Sequence, residues 1–221
     1  MPLTPFSKQQ LLPQEEKLEI ARHKSELFIG IPKETSYQER RICLTPDAVS
    51  SLVSHGHRVL LEAGAGESAS YSDKEYSDAG AEITQDPKKV FSCPMILKVE
   101  PLTSAEIEMI NMNTIVISAI QLKTRKKEYF EKLAKKKITA FAFEFIKDDD
   151  GSYPAVKSLS EIAGTASILI AAELMINNQF GKGLLFGNIT GVAPTDVVII
   201  GAGTVGEFAA KTAIGLGANV K

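Results

Sequence analysis

An unbroken apolar run, Val197–Ile200, passes directly into Gly201-Ala-Gly203-Thr-Val-Gly206 and then into EFAAKTAIGLGA. No other stretch limits so tightly what this chain can fold into. The β-branched run suits a strand covered on both faces, and the segment after the glycines is a good helix former. Each glycine in such a strand–turn–helix unit has its own duty. Gly201 permits the tight turn, Gly203 lets the backbone approach a pyrophosphate, and Gly206 lets helix and strand pack closely. The helix N-terminus offers unpaired amides and the positive end of its dipole to phosphates. The glycine pattern is weak alone and strong in this context, so it predicts the opening of a dinucleotide-binding unit of the Rossmann type. The acid that would hold the ribose hydroxyls is expected about 20 residues on, at the end of a second strand. ANVK begins that strand and the sequence stops at Lys221. The unit is expected to be incomplete, and these residues do not distinguish NAD from NADP.

Upstream, short apolar runs alternate with legible helix starts. LFIGI (27–31), RVLLEA (58–63), MILKV (95–99), TIVISAI (114–120) and ITAFAFEFI (138–146) read as strands. Between them, Thr45-Pro46 opens a helix, Ser72-x-x-Glu75 and Thr103-x-x-Glu106 are capping boxes, and 124–137 is a helix with a basic face. Strands alternating with helices imply a parallel sheet covered on both sides. KDDDGSYP (147–154) is a polar turn, followed by a helix from about Ser160 to Asn177 that is apolar nearly all round. Such a helix is expected to be buried between layers. The reading is an α/β chain: an N-terminal helical extension (1–28), a parallel-sheet, Rossmann-like domain (29–158), a connecting helix (159–179) and the start of a Rossmann dinucleotide-binding domain (180–221).

Composition narrows the functional classes. Lys plus Arg number 25 against 27 Asp plus Glu, a net charge of −2, which argues against a general nucleic-acid or anionic-membrane surface. No apolar run reaches the roughly 18 residues of a membrane helix. Cys43 and Cys93 form neither metal spacing nor a disulfide framework, so a reducing cytoplasm is expected and no metal. The acids of the first 28 residues exclude a transit peptide, and PQEEK from Pro13 reads as the start of a surface helix or a subunit contact.

Ligands of open α/β sheets sit beyond the carboxyl ends of the strands. Arg41, with Arg40 beside it, follows the first strand, and Lys98 lies near the end of the third. An arginine fork plus a lysine suits a small carboxylate; solvated loop charges are the competing reading.

IGIPKE (29–34), ERRICLTP (39–46), GHRVLLEAGAG (56–66), ILKV (96–99), SEIAG (160–164) and VVIIGAGTVG together resemble the alanine dehydrogenase and pyridine-nucleotide transhydrogenase family, from Ile29 to Lys221. The resemblance implies a first domain that binds substrate and a second that binds NAD. It implies that Arg41 and Lys98 hold the carboxylate of pyruvate or alanine, with Lys98 at the reacting centre. Ser160 would contact the dinucleotide, with Gly201, Gly203, Thr204, Val205 and Gly206 around the pyrophosphate. The implied activity is NAD-linked oxidative deamination of L-alanine to pyruvate and ammonia: hydride transfer from the α-carbon, then water attack on the imine. The implied assembly is a homo-oligomer, a hexamer or a dimer, with no nucleic-acid or membrane partner. Two departures stand out. Where the family's dehydrogenases carry a catalytic histidine this chain reads AIQLK, with Gln121, which can polarise an oxygen but cannot shuttle a proton near pH 7. The family's catalytic aspartate would lie beyond Lys221. Alternative implications are the dinucleotide-binding part of a proton-translocating transhydrogenase, or a catalytically silent binder.

Overall fold

The computed structural model describes residues 26–177, 181–187 and 189–221; the expected helix from Pro13 lies outside them. Six parallel strands form the first sheet: β1 (Phe28–Ile31), β2 (Arg58–Glu62), β3 (Glu82–Thr84), β4 (Met95–Leu97), β5 (Ile115–Ser118) and β6 (Thr139–Ala142). Their order is β3-β2-β1-β4-β5-β6. The chain builds outward from β1 on one side and then restarts beside it with β4, pairing Ile29 with both Val59 and Met95. The gap between the loops leaving β1 and β4 is therefore the switch point at which open sheets bind ligands.

The helices start where their chemistry dictates. In α1 (Pro46–Ser54) the Thr45 side chain accepts from the Ala48 amide, with Pro46 at the first helical position. α2 (Asp73–Asp78) and α4 (Ser104–Met109) open on complete capping boxes, Ser72/Glu75 and Thr103/Glu106. α5 (Lys127–Lys135) is shorter than the 124–137 expected, because Gln121–Arg125 fold into a turn of their own. Strand β3 and α3 (Pro87–Phe91), capped by Asp86, were not foreseen; elements this short carry too little periodicity to read. The two largest core clusters lie around Ile29, Ile31, Val49, Val59, Leu61 and Tyr76 and around Ile96, Ile107, Ile110, Val116 and Leu133, with a smaller one at Leu60, Val90 and Cys93. Full burial stabilises each such side chain by about 1.5–3 kcal/mol.

Three further expectations differ from the fold. The strand expected over 138–146 ends at Ala142, and Phe143–Phe145 form a 3-10 turn. The turn lets Glu144 point back and accept the amides of Ile120 and Gln121, each at 2.8 Å. The connecting helix, α6 (Pro154–Met175), begins at Pro154 rather than near Ser160, since proline needs no amide partner in a first turn. It is also not buried all round: only Gly164 and Ile168 are buried, while Ile162, Leu169, Ile170 and Leu174 are more than half exposed. No second layer covers those faces among the described residues. Among the described residues, α6 is the helix long and apolar enough, by length and composition only, to cross a bilayer. Its packing partner here is α7 (Thr204–Gly215).

The second sheet pairs β7 (Asp196–Val197) with β8 (Asn219–Val220) in parallel. The Ile199 amide donating to Lys221 carries the pairing further. Around it Ile168, Phe186, Ala209 and Ala213 form a small cluster.

Candidate active site

The loop leaving β1 carries Glu34, Glu39, Arg41 and Cys43, and the segment leaving β4 carries Lys98, Val99 and Glu100. The two face each other across a cleft of about 430 Å³. Its walls include Arg41, Cys43, Lys98, Phe143 and, from the first turns of α6, Ser158 and Leu159. Residues far apart in sequence thus converge at the switch point.

Lys98 is buried to its tip, its side chain having no exposed area. An unpaired ammonium there would cost several kcal/mol; Glu34 offsets it at 2.5 Å, with Glu106 at 3.6 Å. The other Glu34 oxygen accepts from the Val99 amide at 2.6 Å, so one carboxylate holds both the charge and the backbone beside it. Glu106 also accepts from the Thr103 amide, which ties the lysine to the start of α4.

Arg41 is held by its near neighbour. Nε donates to Glu39 Oε1 at 2.8 Å and Nη2 to Oε2 at 2.5 Å, while the Arg41 amide donates to the same Oε1 at 2.9 Å. The hydrogen bond from Arg41 holds the Glu39 carboxyl at about 2, far below its ordinary 4.5, and the same bond raises the guanidinium. Burial, with Glu34 near, pushes the Cys43 thiol up to about 12, leaving it a neutral wall group. Tyr76 steadies the loop by donating its hydroxyl to the Leu44 carbonyl at 2.7 Å.

Gln121 stands at the end of β5 but does not reach the cleft wall. It is exposed, at a φ of +53° unusual for glutamine. The Glu144 carboxylate pins its amide, and Arg125 approaches its side-chain oxygen at 3.4 Å. The second Glu144 oxygen and Arg125 Nε are buried without partners.

A second cleft, about 500 Å³, brings Ser160 and Ser167 of α6 together with Gly201, Gly203, Thr204, Val205 and Gly206. Close crossings make this possible. A side chain on Gly164 would collide with the Val205 carbonyl oxygen, and one on Gly206 with the Gly201 carbonyl oxygen. By contrast, the space beside Gly203 is open. No side chain among the described residues caps α7, which leaves its first amides open to an anion. These features fit a pyrophosphate: close strand–helix packing, an open backbone and free amides.

Sequence reasoning singled out Arg41, Lys98, Ser160 and the glycines. It gave no role to Glu34, Glu39 or Glu144, and read Glu106 only as a cap. Glu144 left a signal, a lone acid inside an apolar run; Glu39 left a weaker one, an acid two residues before an arginine.

An open parallel sheet with two basic side chains at its switch point, followed by a glycine-fingerprint unit, is the arrangement of two-domain α/β proteins that pair a substrate cleft with a dinucleotide unit. Residues 30–163 match the family model described as alanine dehydrogenase/PNT, N-terminal domain, and residues 167–221 match that of its C-terminal domain. The chain belongs to the alanine dehydrogenase/PNT family. It is 40% identical over 195 residues to the alanine dehydrogenase of Methanococcus maripaludis, covering 88% of this chain and 52% of that protein. The alanine dehydrogenase of Bacillus subtilis is 38% identical over 194 residues, with 88% and 51% covered. A solved L-alanine dehydrogenase superposes with a TM-score of 0.83 at 37% identity, over 88% of this chain and 54% of that one. The transhydrogenase from Sinorhizobium meliloti gives 0.74 at 28%, over 87% and 55%. The chain therefore spans about half the length of the curated relatives it matches.

Proposed function

We propose that this chain forms the substrate-binding half, and the opening of the dinucleotide-binding half, of an NAD-dependent alanine dehydrogenase that converts L-alanine to pyruvate and ammonia. The observation that carries the reading is the convergence of Arg41 and Lys98 on one cleft at the switch point. A small carboxylate entering there meets a guanidinium and a buried ammonium. Arg41 holds the carboxylate, and the Lys98 ammonium, held in the cleft wall by Glu34 and Glu106, supplies a fixed positive charge beside the α-carbon substituents. Gln121, one strand away and outside the cleft wall, could polarise an oxygen only through a bridging water, since its amide is held by Glu144 and its side-chain oxygen is approached by Arg125. Ser160 and the Gly201–Gly206 turn would hold NAD, which when bound supplies the hydride acceptor. The reading places the protein in the cytoplasm as a homo-oligomer, in keeping with the exposed apolar positions of α6.

A transhydrogenase unit is the second reading, supported by the S. meliloti superposition; a silent binder is the third, supported by Gln121 standing away from the cleft wall. Assay of the intact protein separates them. Alanine-dependent reduction of NAD supports the first; transfer between two nicotinamide nucleotides, or binding with neither activity, overturns it. Residues 1–221 alone, which span about half the length of the curated relatives, are expected to bind pyruvate without turnover.

A further inference from the structure

Two cations line the substrate cleft, and four carboxylates stand within ion-pair distance of them: Glu34 and Glu106 at Lys98, Glu39 and Glu100 at Arg41. The cluster therefore carries a net negative charge. With each cation already facing two carboxylates, the hold on a substrate carboxylate depends on where the individual donors point.

A guanidinium has two edges able to grip a carboxylate, one formed by Nε and Nη2, the other by Nη1 and Nη2. In Arg41 the first edge is closed, because both of its donors are given to Glu39. Nη1 has no protein partner among the described residues, and Glu100 lies 3.7 Å from Nη2, outside hydrogen-bond reach. One edge is thus locked and the other left for a ligand.

We propose that Glu39 is a positioning residue for substrate binding: by closing the Nε–Nη2 edge of Arg41 it fixes the guanidinium plane so that the Nη1–Nη2 edge meets the substrate carboxylate. The inference rests on the reading of Arg41 as the carboxylate-binding group. Glu39 is not a stand-in that the substrate displaces. Its side chain is only 8% exposed, against 48% for Arg41, so breaking the pair would leave a partly buried carboxylate without its countercharge. One of its oxygens also accepts the Arg41 amide, and that bond stays in place however the guanidinium turns. The low titration point of Glu39 keeps the clamp ionised throughout the physiological range.

The test uses the 221-residue chain, pyruvate as the probe and the side-chain Nε–H resonance of Arg41, assigned by its loss in Arg41→Lys. In the unaltered chain that proton is expected to exchange slowly, with or without pyruvate. Glu39→Ala should release it to fast exchange and weaken pyruvate binding about tenfold, the scale of one charge-assisted hydrogen bond. Glu39→Gln, which keeps a single acceptor in the same shape, should restore part of both, and it carries the test alone if the alanine variant fails to fold. The far-ultraviolet circular dichroism spectrum should not change in either variant, which separates positioning from general loss of structure. If Arg41→Ala weakens pyruvate binding while both Glu39 variants bind as tightly as the original or more so, Glu39 is a bystander or a competitor and the inference is wrong. If the unaltered chain does not bind pyruvate, or Arg41→Ala and Lys98→Ala both leave binding intact, the reading of the cleft falls and this inference with it.

Discussion

The two parallel sheets begin from nearly the same sequence signal and end in different states. Phe28–Ile31 and Val197–Ile200 are both short apolar runs leading into a polar loop. In the first sheet Ile29 and Ile31 are 2% and 1% exposed. In the second Val198 is 69% and Ile200 98% exposed. The difference lies in the neighbours. Among the described residues, strand β1 is paired on both edges, by β2 and β4, while β7 is paired with β8 alone. A run suited to a sheet interior becomes interior only when strands and helices close around it. That contrast also explains α6, whose small-residue face at Gly164 packs against α7 while its larger apolar side chains stay exposed.

The contrast can be broken most forcefully at the charges. Lys98→Met should destabilise the chain by about 3–5 kcal/mol, because Glu34 and Glu106 would be left buried around a missing cation. Lys211→Met, which breaks an exposed pair with Glu207 in the second region, should leave the urea midpoint where it was. Equal losses would mean that burial around Lys98 is not what the sheet topology implies. Apolar truncation comes next. Ile96→Ala, at a fully buried position, should cost about 2–5 kcal/mol, and Ile200→Ala no more than about 0.5 kcal/mol. A large loss at Ile200 in urea denaturation would show that β7 is covered in solution.

The smallest effect is electrostatic. Glu39 titrates at about 2 through its bond to Arg41, while Lys221, helped by Asn219, lowers Asp196 in the exposed second region. A carboxylate lowered on folding contributes stability above its unfolded value and loses it as pH falls through the folded one. The Glu39 clamp should therefore be fully present above about pH 4.5 and lost toward about pH 2. Salt should shrink the Asp196 displacement and spare that of Glu39, because exposed pairs are screened more than partly buried ones. Carboxyl NMR titrations at low and high salt would check this; a matching salt response at both sites would erase the distinction.

Much of this was legible in the residues. Capping boxes at Ser72/Glu75 and Thr103/Glu106 work through neighbours three residues apart, and the chain writes such contacts out directly. The same holds for the glycine turn at Gly201–Gly206, whose geometry depends on a strand and helix adjacent in sequence. β3 and α3 escaped because three to five residues do not show a period. The extent of β6 escaped because it depends on Glu144 reaching Ile120 and Gln121, more than twenty residues away.

The sequence by itself determined the parallel α/β class, most helix starts, the fingerprint turn and the two basic residues at the strand ends. All of these rest on local backbone preference or on a rule about strand ends that needs no coordinates. Only the tertiary structure decided that Lys98 is buried between Glu34 and Glu106, that Glu39 occupies one edge of Arg41, and that Gln121 stands apart from the cleft. Those outcomes turn on which side chains end up within a few ångströms of one another after distant segments meet, and on whether water remains between them. Burial and pairing of charge are properties of that final packing, and no short stretch of the chain contains them.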